Sequence, residues 1–94
     1  DYPAFFTPNN DGYNDTWNIY GLAESNPSAK IYIFDRYGKL LKQISPMGEG
    51  WDGSYNGTQM PSGDYWFKVE YQELDVNTGQ LVRKELMDNI TLKR

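Results

Sequence analysis

The segment Asn9-Asn10-Asp11-Gly12-Tyr13-Asn14-Asp15 gathers the side chains whose spacing most suggests chemistry. Oxygen ligands at alternate positions before a turning glycine, followed by a main-chain carbonyl, are what a calcium loop offers a hard cation. With Gly12 as that glycine, a structural calcium ion would draw on Asn9, Asp11, the Tyr13 carbonyl and Asp15, with Thr7 as a poor opening ligand. The bidentate glutamate that closes such a loop would fall at Asn18, where it is absent. Calcium takes roughly 6–8 oxygens, so waters or a distant carboxylate would have to complete the shell. The competing reading is a turn whose Asn and Asp side chains cap their own backbone. The missing ligands favour the turn, and no other cofactor is expected.

The remaining groups narrow the options. There is no histidine and no cysteine, which removes Ser–His and Cys–His nucleophiles, histidine-based zinc sites and any disulfide framework. Asp52 would need a partner acid or base to act in catalysis. The alternative is a carboxylate that accepts backbone N–H bonds in the turn to Gly53, while Trp51 plugs the core. Arg36 has the fork to grip a carboxylate partner, or it stacks on Tyr37 at a hairpin end. The thirteen acids are scattered, as solvated surface groups usually are. A net charge of −4, with no basic run longer than Arg83-Lys84 or Lys93-Arg94, argues against a nucleic-acid partner. Eight Tyr, four Phe and three Trp strain the capacity of a small core. Tyr13, Tyr20, Tyr55, Tyr71 and Trp66 are therefore candidates for packing on a wet sheet face, or for stacking on a sugar or docking a protein.

What must position these groups is a β scaffold. The stretch from Trp51 to Phe67 carries Gly53, Gly57, Pro61 and Gly63, then releases the chain into Tyr65, Phe67, Val69 and Tyr71 on one face. That period of two marks a strand with one buried side. Asp52-Gly53 and Asn56-Gly57 read as tight turns needing positive φ. Upstream, Trp17 and Ile19 alternate with polar neighbours as a short strand closed by Gly21, and residues 22–28 read as a loop. Lys30 to Arg36 is apolar on both faces at its centre, as a strand covered on both sides would be. It turns at Tyr37-Gly38 and pairs back through 39–45, where the inward choice between Leu40 and Leu41 stays open. Residues 46–50 read as a mobile link. Asp75 to Gly79 is a hairpin loop, and the last strand runs through Val82, Lys84 and Leu86 to Ile90 and Leu92, its even positions mostly apolar and its odd ones mostly polar. The fold class is thus all-β, an antiparallel sandwich of about six or seven strands. No apolar run approaches the length of a membrane span.

Three blocks then invite comparison. Phe6-Thr7-Pro8-Asn9-Asn10-Asp11-Gly12-Tyr13-Asn14-Asp15-Thr16-Trp17 resembles the F-T-P-N-x-D-G-x-N-D-x-W opening of the gliding motility-associated C-terminal domain. This is the type B C-terminal sorting domain of the type IX secretion system in Bacteroidota. Ile33-Phe34-Asp35-Arg36-Tyr37-Gly38 is similar to its I-F-N-R-W-G block, with Asp35 and Tyr37 in place of Asn and Trp. Trp51-Asp52-Gly53, with Gly57, Pro61, Gly63 and Tyr65, resembles its W-D-G…G…P-x-G-x-Y block, and Ile90 to Arg94 its terminal strand. The resemblance covers nearly the whole chain in order and spacing. It implies an Ig-like sandwich that routes a large exported protein across the periplasm to the cell surface or the medium. It also implies porin-like outer-membrane partners and passenger domains upstream in the same chain.

The expectation is therefore a single domain over residues 1–94, a piece of a longer protein, acting as a binding module and not an enzyme. Its recognition face would be the turn-rich edge with Asn9, Asp11, Asp15, Arg36 and Tyr37, together with Lys93 and Arg94. Trp17, Gly38, Trp51, Asp52, Gly53, Gly57, Pro61, Gly63 and Tyr65 would serve the scaffold. The rival readings are a carbohydrate-binding module and a structural Ig-like spacer of a secreted adhesin or enzyme.

Overall fold

A computed structural model describes residues 5–8, 15–19, 22–26 and 28–94. In chain order its elements are β1 (Phe5–Phe6), α1 (Leu22–Ser25), β2 (Lys30–Phe34), β3 (Leu40–Ile44), β4 (Ser54–Tyr55), β5 (Thr58–Gln59), β6 (Gly63–Leu74) and β7 (Leu81–Leu92). Five strands form one sheet in the order β1-β7-β6-β2-β3, and β4 pairs with β5 separately. The architecture is all-β and sandwich-like. Every pairing is antiparallel except β1 with β7, which is parallel.

The alternation read from β6 is what builds the core. Tyr65, Phe67 and Val69 are buried, and their partners across β2 and β7 share that face: Ile33 opposite Phe67, Ile31 opposite Val69, Ile90 opposite Tyr65. The second layer is thin. Trp17 and Trp51 form an isolated bridge, each main-chain N–H donating to the other's carbonyl at 2.9 Å. Their indoles lie on the inner sheet face, Trp17 at 4.8 Å from the Phe67 ring, Trp51 at 5.5 Å from Phe6 and 5.2 Å from Tyr65. Trp51 also donates its indole N–H to the Ser54 carbonyl at 2.9 Å, so the buried polar atom is satisfied.

Several local expectations are revised. Residues 17–19 are a bridge and not a regular strand. Asn18 is as buried as its apolar neighbours, because its amide donates to the Ser45 and Gly48 carbonyls at 3.1 Å while its oxygen accepts from the Ile19 N–H. Those same bonds make residues 45–48 an anchored turn, closed by Gly48 N–H to Ser45 O, where a slack link was expected. Residues 22–25 form one helical turn instead of loop. β2 is covered on one side among the described residues, and its outward Tyr32 and Phe34 are half-buried. The ambiguity of Leu40 and Leu41 has a structural cause. The register shifts between Ile33, opposite Lys42, and Phe34, opposite Leu40, leaving Leu41 as the extra residue of a β-bulge. A bulge breaks the period of two, so Leu41 turns inward and Leu40 stays exposed. By register the even positions of β7 share the face of Tyr65, Phe67 and Val69, yet only Ile90 and Leu92 among them are buried. Residues 71–74 and 81–84 run past β2 as a two-stranded ribbon.

Candidate functional site

The turns gather where β6 begins and β7 ends. Phe34 lies opposite both Trp66 and Leu40, so the turn between β2 and β3 lies at that end of the sheet, level with the start of β6. Asp35 shapes it: one carboxylate oxygen accepts the Tyr37 and Lys39 N–H groups, each at 2.9 Å. Gly38 supplies the left-handed residue at φ 85°. Arg36 stacks on the Tyr37 ring at 5.0 Å and donates to its hydroxyl at 2.9 Å, and Tyr37 is 80% exposed. This is an aromatic–cation pair held out in solvent by a self-capped turn.

The β4–β5 hairpin sits beside it. Its two-residue Asn56-Gly57 loop has φ values of 51° and 80°, the left-handed pair that matches strand twist. Lys39 places its ammonium 4.6 Å from the Tyr55 ring centre and so ties the two turns together. Asp52 opens the hairpin, accepting the Ser54 N–H at 3.1 Å and the Ser54 hydroxyl at 2.6 Å. The hydroxyl bond holds the Asp52 carboxyl below its ordinary value, against a smaller opposing effect of burial. A carboxylate consumed this way is a turn residue, as the second of the two sequence readings had it.

Arg94 closes this end. Its guanidinium donates to the Met60 carbonyl at 2.6 Å and the Gly53 carbonyl at 2.8 Å, and reaches the Pro8 carbonyl at 3.5 Å. Its own N–H donates to the Ser62 hydroxyl at 2.9 Å. Three separate segments thus end on one planar fork, a role the sequence did not announce. Lys93 points its ammonium over the Phe5 ring at 4.4 Å. Tyr65 lies between the groups: its hydroxyl donates to the Pro61 carbonyl at 2.7 Å, and burial raises its pKa while the Arg94 charge opposes that rise.

Of the residues expected to form a recognition face, Arg36, Tyr37, Lys93 and Arg94 therefore come to one end. Asp15 is half-buried. Asn9, Asp11 and Tyr13, and with them most of the calcium loop, lie outside the described residues. Among the described residues no three potential carboxylate ligands cluster for a metal ion. The surplus aromatics divide. Tyr55 and Tyr71 pack against the core, Trp66 is 43% exposed on the outer sheet face, and Tyr13 and Tyr20 lie outside the described residues.

Glu70 marks a second polar group on the outer face, which the sequence reading missed. It accepts Arg83 at 2.8 Å and the Tyr32 hydroxyl at 3.3 Å, and Lys68 stands 3.6 Å away. Desolvation opposes its ionisation, but Arg83, Lys68 and Tyr32 together outweigh that and lower its pKa from the ordinary 4.5. A lowered carboxyl stabilises the fold above its unfolded value and loses that effect as pH falls through the folded value. Glu70→Gln is accordingly expected to flatten the acid limb of melting temperature against pH below about 4.5. An unchanged acid limb in calorimetry would remove Glu70 from the account.

The fold and this end define a small two-layered β module that presents self-capped turns. Residues 1–82 match the family model of the CHU_C type IX secretion signal domain, and the chain belongs to that family. The match stops inside β7, so the strand end that carries Arg94 lies beyond it. No curated protein and no solved structure matches the chain. Membership gives the domain a sorting role: it marks a protein for export to the surface or medium and engages the type IX machinery.

Proposed function

We propose that this domain is a non-catalytic address label whose turn-rich end is read by the secretion apparatus. Passenger domains upstream in the same chain are the cargo, and they cross the periplasm before delivery. The partner is a porin-like outer-membrane component. The observation that carries this is the convergence of Arg36-Tyr37, the β4–β5 hairpin and the β7 terminus at one end of a domain of this family. The turns are held by their own side chains, so the surface is preformed and little ordering cost falls on binding.

The test is export of a reporter fused upstream of residues 1–94, behind an export signal, in a type IX-competent host. Deleting the domain is expected to abolish surface delivery, and equal delivery without it would reject the sorting reading. Arg36→Ala with Tyr37→Ala is expected to cut delivery with little change in melting temperature. Full delivery by that stable variant would move the recognition face elsewhere.

A further inference from the structure

The open edge of β7 carries an inference independent of the sorting reading. Asp75 N–H donates to the Gln80 carbonyl at 2.8 Å, and Lys93 N–H donates to the Phe6 carbonyl at 2.9 Å on the opposite side of β7. Main-chain groups of an antiparallel strand alternate in direction. Even-numbered residues of β7 therefore bond to β6, and Leu81, Arg83, Glu85, Met87 and Asn89 direct theirs outward. Among the described residues β1 takes up only the far end, beside Thr91 and Leu92. Among the described residues Leu81 to Met87 thus presents an unpaired edge with no proline, and four of its side chains are exposed apolar groups: Leu81 at 64%, Val82 at 37%, Leu86 at 45% and Met87 at 60%. Such an edge is a template for strand addition.

The residue order on that edge names the occupant. Leu81-Val82-Arg83-Lys84-Glu85-Leu86-Met87 is chemically palindromic about Lys84: two apolar residues, a cation, the centre, an anion, two apolar residues. We infer that β7 pairs antiparallel with β7 of a second copy of this chain, about a two-fold axis through Lys84. In that register Arg83 faces Glu85 of the other copy, Val82 faces Leu86 and Leu81 faces Met87, each twice by symmetry. Arg83 and Glu85, and Leu81 and Met87, are the pairs whose outward main-chain groups meet, so the ladder and the side chains agree. Every exposed apolar group of the segment finds an apolar partner. Glu85, which lies opposite the like-charged Glu70 within its own sheet, gains a cation. The single unfavourable pair is Lys84 against Lys84, which keeps the association weak and reversible. Moving the axis to Glu85 sets that carboxylate against itself and Val82 against Asp88. Moving it to Leu86 brings Leu81 against Thr91, whose edge β1 already occupies.

Sedimentation of the 94-residue chain from micromolar to millimolar concentration tests this, together with hydrogen exchange at the edge amides. The expected result is a monomer–dimer equilibrium, with the Arg83, Glu85 and Met87 amides exchanging freely in the monomer and protected in the dimer. Lys84→Val removes the like-charge pair and should tighten the dimer about tenfold. Glu85→Pro deletes an outward N–H that β6 does not use and should abolish the dimer. Met87→Lys, a surface change that leaves the core alone, should weaken it should the proline variant misfold. A chain monomeric at millimolar concentration overturns the inference, as does a dimer indifferent to all three variants. Edge amides protected in the monomer would show the chain's own segment on that edge and would overturn it equally.

Discussion

Trp51→Ala is expected to lower stability by about 3–5 kcal/mol, the range for truncating a fully buried large aromatic. Trp51 has no exposed surface and touches the rings of both Phe6 and Tyr65. Those two belong to different strands of the main sheet, so a single indole spans the layer. A domain of this size holds on the order of 5–14 kcal/mol in total, so the loss takes a large share of it. With roughly 4–8 °C per kcal/mol at this length, thermal unfolding should shift by tens of degrees. Trp51→Phe, which keeps a ring but drops the bond to the Ser54 carbonyl, should fall only part of the way. A shift for the alanine variant no larger than that for phenylalanine would mean that the second layer contributes little.

Gly50→Ala is expected to cost about 2–4 kcal/mol by a different route. Gly50 has φ 95°, and a Cβ there would fall on the Trp17 carbonyl oxygen and 2.9 Å from its carbon. That carbonyl is the acceptor of the Trp51 N–H. The substitution therefore attacks the bridge that holds both indoles, not merely the local turn. Gly57 and Gly79 serve as controls. They also have positive φ, 80° and 72°, but nothing lies within 4 Å of an added Cβ. Their alanine variants should show backbone strain alone, about 1 kcal/mol. Equal melting-temperature losses for the three would refute the close-approach argument.

Sequence periodicity revealed this fold where one face is wet and the other dry. β6 displays Tyr65, Phe67 and Val69 in strict alternation because its outer face meets solvent, and the Asn-Gly turn follows from the left-handed backbone it needs. Legibility failed where a side chain substitutes for backbone pairing. Asn18 looks like an outward residue of a short strand, yet its amide caps the 45–48 turn, a contact 27 residues away. Leu41 is hidden by a bulge, whose extra residue leaves no signature in a five-residue strand. At the candidate site, Asp52 was readable because it caps its own turn two residues on, whereas the capping by Asp35 shows only in the structure. Arg94 was not, since its fork serves carbonyls at Gly53, Met60 and Pro8, distances that no local pattern encodes.

The parallel pairing of β1 with β7 has a mechanical consequence. Phe5-Phe6 and Thr91-Leu92 run side by side in the same direction, joined by the Lys93-to-Phe6 bond. Tension applied between the start of β1 and the end of β7 pulls these neighbours in opposite senses. It loads their hydrogen bonds together in shear instead of peeling them one at a time, and the Arg94 contacts to Pro8, Gly53 and Met60 share the load. A cargo dragged behind this domain would tug on a clasp, not a zipper.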